Sequence, residues 1–80
     1  MQIILKHDVN PIKNGFAAHG VKLGLVAHGH SPDVARRNLE RVVLLYLRPF
    51  ERQGTLKREL ELMGLQTEDD GAELTVVAVD

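Results

Sequence analysis

The hydrophobic period of this chain changes at Gly29-His30-Ser31-Pro32-Asp33, and that change constrains the fold more than any other feature. Ser31 is a good N-cap, because its hydroxyl can accept from a free N–H of the first helical turn. Pro32 suits the first helical position, and Asp33 complements the positive end of the helix dipole. Downstream, Ala35, Leu39, Val42, Val43, Tyr46 and Phe50 fall within an arc of roughly 100° at helical pitch. That spacing predicts a long helix with one core-facing stripe. Pro49 lies inside it, removing one backbone donor, so the helix is expected either to kink there or to end near Leu47. A kink is favoured because Phe50 keeps the phase of the stripe.

Upstream of Gly29 the period is that of strands. Residues 2–8 are rich in apolar and β-branched side chains and predict a first strand. Asn10-Pro11 and Asn14-Gly15 bracket a turn, Phe16 to His19 predicts a second strand, and Val21 to His28 a third. In the third, Val21, Leu23, Leu25 and Ala27 would face one way, and Val26 and His28 the other. Beyond Gly54, Thr55 can cap a second helix that carries Leu56, Leu60 and Met63 and stops at Gly64. Glu68-Asp69-Asp70-Gly71 predicts a turn, and Glu73 to Val79 a final strand. The expected fold is α+β, in the order β-β-β-α-α-β, a small antiparallel sheet with one face covered by the long helix. The other face would carry Ile4, Val26, Val77 and Val79 mixed with Lys6 and His28, with nothing in the chain to cover it.

Eighty residues allow one domain, 1–80, with a thin core and no cysteine to reinforce it. Self-association is one way for so small a domain to bury more apolar surface. The apolar runs are too short for a membrane span, and the N-terminus lacks the pattern of a signal peptide, so a soluble, cytoplasmic protein is expected. A net charge of −1 conceals a segregation. Residues 31–60 hold seven Lys/Arg against four Asp/Glu, whereas residues 61–80 hold six acids and no base. An acidic end of this kind suits a basic partner, although it can equally be a solvated turn and terminus.

Few residues offer chemistry. His28-x-His30 could present two imidazoles from one strand face, with His7 or Asp8 as a third ligand, but the spacing alone is a weak metal motif. Ser31 is better explained as a helix cap than as a nucleophile, and Asp8 stands apart from the other carboxylates. No catalytic residue, cofactor site or metal site is therefore assigned. On the long helix, Arg37, Arg41, Arg48 and Arg52 fall within roughly 60° opposite the core stripe, with Leu44 among them. Such a row fits an interface for phosphate or for an acidic protein surface, or a solvated face paired with Glu40 and Glu51. Near-neutral charge and few aromatic residues argue against nucleic acid as a direct ligand.

From Phe16 to Leu65 the chain resembles the HicB family of antitoxins. The resemblance rests on Gly29-His30-Ser31-Pro32-Asp33-Val34-Ala35, on Asn38-Leu39, on Tyr46-Leu47, and on Gly54-Thr55-Leu56 with Leu60 and Met63-Gly64-Leu65. It covers about five eighths of the chain. It implies a partial RNase H-like fold without an active site, self-association, and a role in masking a small basic RNA-cleaving toxin of the HicA kind. Two departures stand out. Ala18-His19-Gly20-Val21-Lys22 replaces the acidic, Pro- and Gly-rich entry to the third strand, and the sequence stops at Asp80, where family members carry a DNA-binding segment. Operator binding is accordingly not expected.

The reading that follows is a non-enzymatic protein-binding module. Glu68, Asp69, Asp70 and Glu73 are the expected contacts to a basic toxin. Arg37, Arg41, Leu44, Arg48, Val26 and Val77 are the candidates for a homodimer or higher oligomer. The alternatives are a stand-alone oligomeric domain of unknown ligand and a His-based metal-binding protein.

Overall fold

In the computed structural model, which describes all residues from Met1 to Asp80, the strand-to-helix switch falls where the sequence places it. Ser31 caps the long helix α1 (Pro32–Gln53), its hydroxyl accepting from the Val34 N–H at 3.2 Å. Before it come β1 (Gln2–Ile12), β2 (Gly15–Gly20) and β3 (Val26–Gly29). After it come α2 (Leu56–Met63), β4 (Gln66–Glu68) and β5 (Thr75–Val79). The fold is α+β, a five-stranded sheet with α1 packed on one face.

β1 is the hub of the sheet. Its later half, His7 to Ile12, pairs antiparallel with β2, which pairs antiparallel with β3. Its earlier half pairs with β4 antiparallel and with β5 parallel. The Lys6 carbonyl accepts from Val21 at the end of β2, while the Met1 carbonyl accepts from Thr75 at the start of β5. Successive residues of a strand bond to opposite sides, so β2 and β4 share one edge of β1 and β5 takes the other. The parallel β5 departs from the expected antiparallel sheet. A parallel neighbour needs a crossover connection, and α1 is long enough to provide it.

Strand boundaries differ from the sequence reading, and β4 is a strand the sequence reading did not include. β1 runs to Ile12 through Pro11, which is tolerated because that residue's nitrogen faces away from β2, where no donor is needed. The turn tightens to Lys13 and Asn14, and Asn14 adopts a left-handed φ of 69°. The third strand is shorter than Val21–His28: residues 21–23 form a turn, closed by Gly24 at φ 66°, so only Val26 onward pairs with β2. Glu68 belongs to β4 and not to a turn, and the final strand begins at Thr75 instead of Glu73.

The core lies between α1 and the inner sheet face. Ile3 and Leu5 from β1 and Ala35, Leu39, Val43 and Leu47 from α1 are fully excluded from solvent. The buried stripe is rotated from the expected one: Leu47 is fully buried at one side of it, whereas Tyr46 is 43% exposed and meets Phe50 edge-on. The helix continues through Pro49 to Gln53 and neither ends nor restarts there. The carbonyl that Pro49 leaves unbonded belongs to Leu45, on the exposed side of the helix where water can reach it. Thr55 makes no side-chain cap to α2, in contrast to expectation; the left-handed Gly54 and Gly64 end the two helices instead. Gly29 lets α1 approach β3 closely, since a Cβ there would sit 2.5 Å from the Ala35 nitrogen.

Leu47→Ala is expected to destabilise the protein by about 2–5 kcal/mol, because a fully buried leucine leaves a cavity. Leu45→Ala, at a side chain 64% exposed, should change stability by less than about 0.5 kcal/mol. Urea unfolding of both variants measures the difference.

Candidate protein-interaction surfaces

The alternation of β1 sends Ile3, Leu5 and His7 into the core and Ile4, Lys6 and Asp8 to the outer face. Register carries that alternation across the sheet. Val77 and Val79 of β5 lie beside Ile4 and Lys6, Glu68 of β4 lies beside Gln2, and His19 of β2 lies beside Asp8. Ile4, Val77 and Val79 are only half-buried, and no element of the chain covers this face. The result is an apolar centre with Glu68, Asp8 and Lys6 around it. Val26, 47% exposed, lies on the same outer face but in β3, separated from Val77 by β2 and β1. The two valines therefore do not make one patch.

The acidic segment divides into two kinds of carboxylate. Asp70 is committed within the fold. Its Oδ1 lies 3.1 Å from the Met1 ammonium and accepts from the Ala72 N–H at 3.0 Å. The Ala72 N–H bond, and then the ammonium, hold its pKa below the usual aspartate value. Asp69 accepts from the Gly71 N–H. Glu68 makes no ion pair, and Glu73 makes only a 3.9 Å approach to Arg48. Glu68, Asp69 and Glu73 are exposed and free to meet a partner, whereas Asp70 first serves the turn.

The arginine row runs along the solvent side of α1. Arg37, Arg41 and Arg52 are exposed and make no ion pair within the chain, while Arg48 reaches Glu51 at 3.4 Å. Leu44 is half-buried and packs against the core, so it is not a fully solvent-facing member of that row. Two residues beside the row have roles the periodicity does not reveal. Glu40 accepts from the Ala78 N–H of β5 at 2.8 Å, and Asn38 donates to the His28 carbonyl of β3 at 2.8 Å. They hold opposite edges of the sheet from one helix. Only a knowledge of which strands become edges would have identified them.

The histidines do not converge. His7 is buried on the inner face, with its Nδ1 2.8 Å from the Val79 carbonyl, so it cannot join His28 on the outer face. His30 lies beyond the end of β3, and Asp8 pairs with His19 on β2. No cluster of three or more His, Cys, Asp or Glu side chains is placed to hold a metal ion. A cleft of about 190 Å³ opens between the end of β2 and β4, lined by Ile4, Lys6, Lys22, Leu65 and Gln66. The Lys22 ammonium is occupied there, donating to the Gly64 carbonyl at 2.7 Å. No helix is long and apolar enough to cross a membrane. Comparison with protein-family models, curated proteins and solved structures found no match.

Asp70→Asn should lower stability at neutral pH, and the difference should disappear in acid. A depressed folded-state pKa contributes stability that is present above the ordinary aspartate value, 3.8, and is lost as pH falls through the folded value. Thermal unfolding of both proteins between neutral pH and pH about 2 measures this; a difference that persists at the acid end contradicts the role assigned to the carboxylate.

Proposed function

We propose that this chain is a non-enzymatic protein-binding module, a HicB-like antitoxin that masks a small basic ribonuclease toxin of the HicA kind. The observation that carries the reading is the outer sheet face, where Ile4, Val77 and Val79 form an uncovered apolar centre with the carboxylates of Glu68 and Asp8 and the single ammonium of Lys6 around it. None of the elements between Met1 and Asp80 lies over this face, and a protein partner supplies the second layer. Carboxylates at the border favour a basic partner and speed its approach. Asp69, next to Glu68, adds to this negative charge, and Glu73 places a further exposed carboxylate on the α1 side of the β5 edge, 3.9 Å from Arg48. The order of three strands, a long helix and a later strand on one core is compatible with the partial RNase H-like fold that the resemblance implies. Self-association belongs to the same reading.

The test is co-expression of the untagged chain with a tagged product of the adjacent short reading frame, followed by pull-down and a growth assay. A stoichiometric complex that relieves toxicity is the expected result. Glu68→Lys and Glu73→Lys together should weaken that complex by about tenfold or more, whereas Arg52→Glu should leave it within about threefold. A complex indifferent to Glu68 and Glu73 would remove the acidic border from the interface. A chain that protects no neighbouring product would favour a stand-alone oligomeric domain.

A further inference from the structure

β5 is an edge strand whose outward main-chain groups are covered at one point only, by Glu40 of α1. It bonds to β1 on one side and has no strand partner on the other. Its sequence, Thr75-Val76-Val77-Ala78-Val79, contains no charge, proline or glycine, the usual devices that keep an exposed edge from finding another strand. Because Thr75 bonds toward β1, the main-chain groups of Val76 and Ala78 point outward. Of these, the Ala78 N–H is covered by the Glu40 carboxylate. The remaining groups are free to bond to an incoming strand.

The helix flank above that edge indicates what the incoming strand belongs to. Glu40 reaches Ala78, and Arg48 lies 3.9 Å from Glu73 just before β5, so this side of α1 overhangs the β5 edge. Along it stand Arg37, Glu40, Leu44, Arg48 and Glu51, spaced to share one side of the helix. Their charges run plus, minus, neutral, plus, minus. A two-fold axis beside Leu44 brings each residue opposite the one equally far beyond Leu44 in a second copy. Arg37 then faces Glu51 of the other copy, Glu40 faces its Arg48, and Leu44 meets Leu44. Every charged pair is of unlike sign, a self-complementarity that an isologous interface requires.

We infer that two copies of this chain associate through their β5 edges, antiparallel, forming one continuous sheet with the two α1 helices side by side across the axis. Antiparallel pairing of β5 with itself and antiparallel pairing of the α1 flanks follow from the same two-fold operation. Arg48, held within the chain only by long contacts to Glu51 and Glu73, is free to share a bond with Glu40 of the second copy. Glu40 in turn releases Ala78 to the incoming strand. The arrangement leaves the outer sheet face open in both copies and extends it across the axis. It deepens the self-association in the proposed function and does not depend on the partner being a toxin.

The test uses the chain alone, so the outcome for a toxin does not affect it. Sedimentation equilibrium should give twice the 8.9 kDa chain mass. Arg37→Glu should weaken the dimer by about tenfold or more, and adding Glu51→Arg should return it to within about threefold of the parent. Val76→Pro removes an outward-facing N–H and should give a monomer, with circular dichroism reporting that the fold is kept. If Val76→Pro unfolds the chain, loss and rescue at Arg37 and Glu51 decide the matter. A monomeric parent chain overturns the inference, as does a dimer that ignores Arg37→Glu or that Glu51→Arg fails to rescue.

Discussion

The apolar seam between β1 and α1 underlies every other feature of the molecule. Ile3 and Leu5 meet Leu39, Val43 and Leu47, all five without solvent exposure. Burying each of these side chains contributes about 1.5–3 kcal/mol, against a conformational entropy cost that falls on every residue. Only 13 of 80 residues are buried, so there is little else to share the load. β1 can serve as the hub because it is long enough to seat β2 on one half and both β4 and β5 on the other.

With its helices packed on one core, the sheet is left with two edges and an open side. α1 handles both edges with side chains that flank its buried stripe. Asn38 bonds to the His28 carbonyl of β3, and Glu40 to the Ala78 N–H of β5. The two bonds align the helix across the sheet and satisfy polar groups that would otherwise invite pairing. They differ in completeness, since β5 is the longer strand and keeps outward groups on both sides of the one that Glu40 covers. The same helix position thus both restrains an edge and sets the charge pattern beside it.

Much of this was legible in the residues. Ser31-Pro32-Asp33 marked the helix start, because a cap, a fixed φ and a dipole charge coincide there. The alternation in β1 separated Ile4 and Lys6 from the core, and the open outer face followed from it. Other features were hidden for physical reasons. Val21 and Leu23 read as strand because apolar alternation does not distinguish a pleated residue from one in a turn, and Gly24 alone marked the difference. The parallel pairing of β5 depends on which edge of β1 remains free, a matter of topology that local periodicity cannot express. Asp70 looked like one of four equivalent acids until the Met1 ammonium was found beside it. Leu47 fell outside the expected stripe because that 100° arc was centred roughly 30° away from the true core direction.

In the proposed function the two unfinished parts of the fold take different roles: an outer face for a basic protein, an outer edge for a second copy. The central claim is that Ile4, Val77 and Val79 are the surface that a partner covers. Methyl-group NMR with a soluble paramagnetic probe tests this most directly. In the free chain the methyl signals of these three residues should broaden strongly while those of Leu39 and Val43 do not. In the presence of the co-purified partner, the account predicts that all three become shielded. Three methyl groups that remain as accessible in the complex as in the free chain would contradict it.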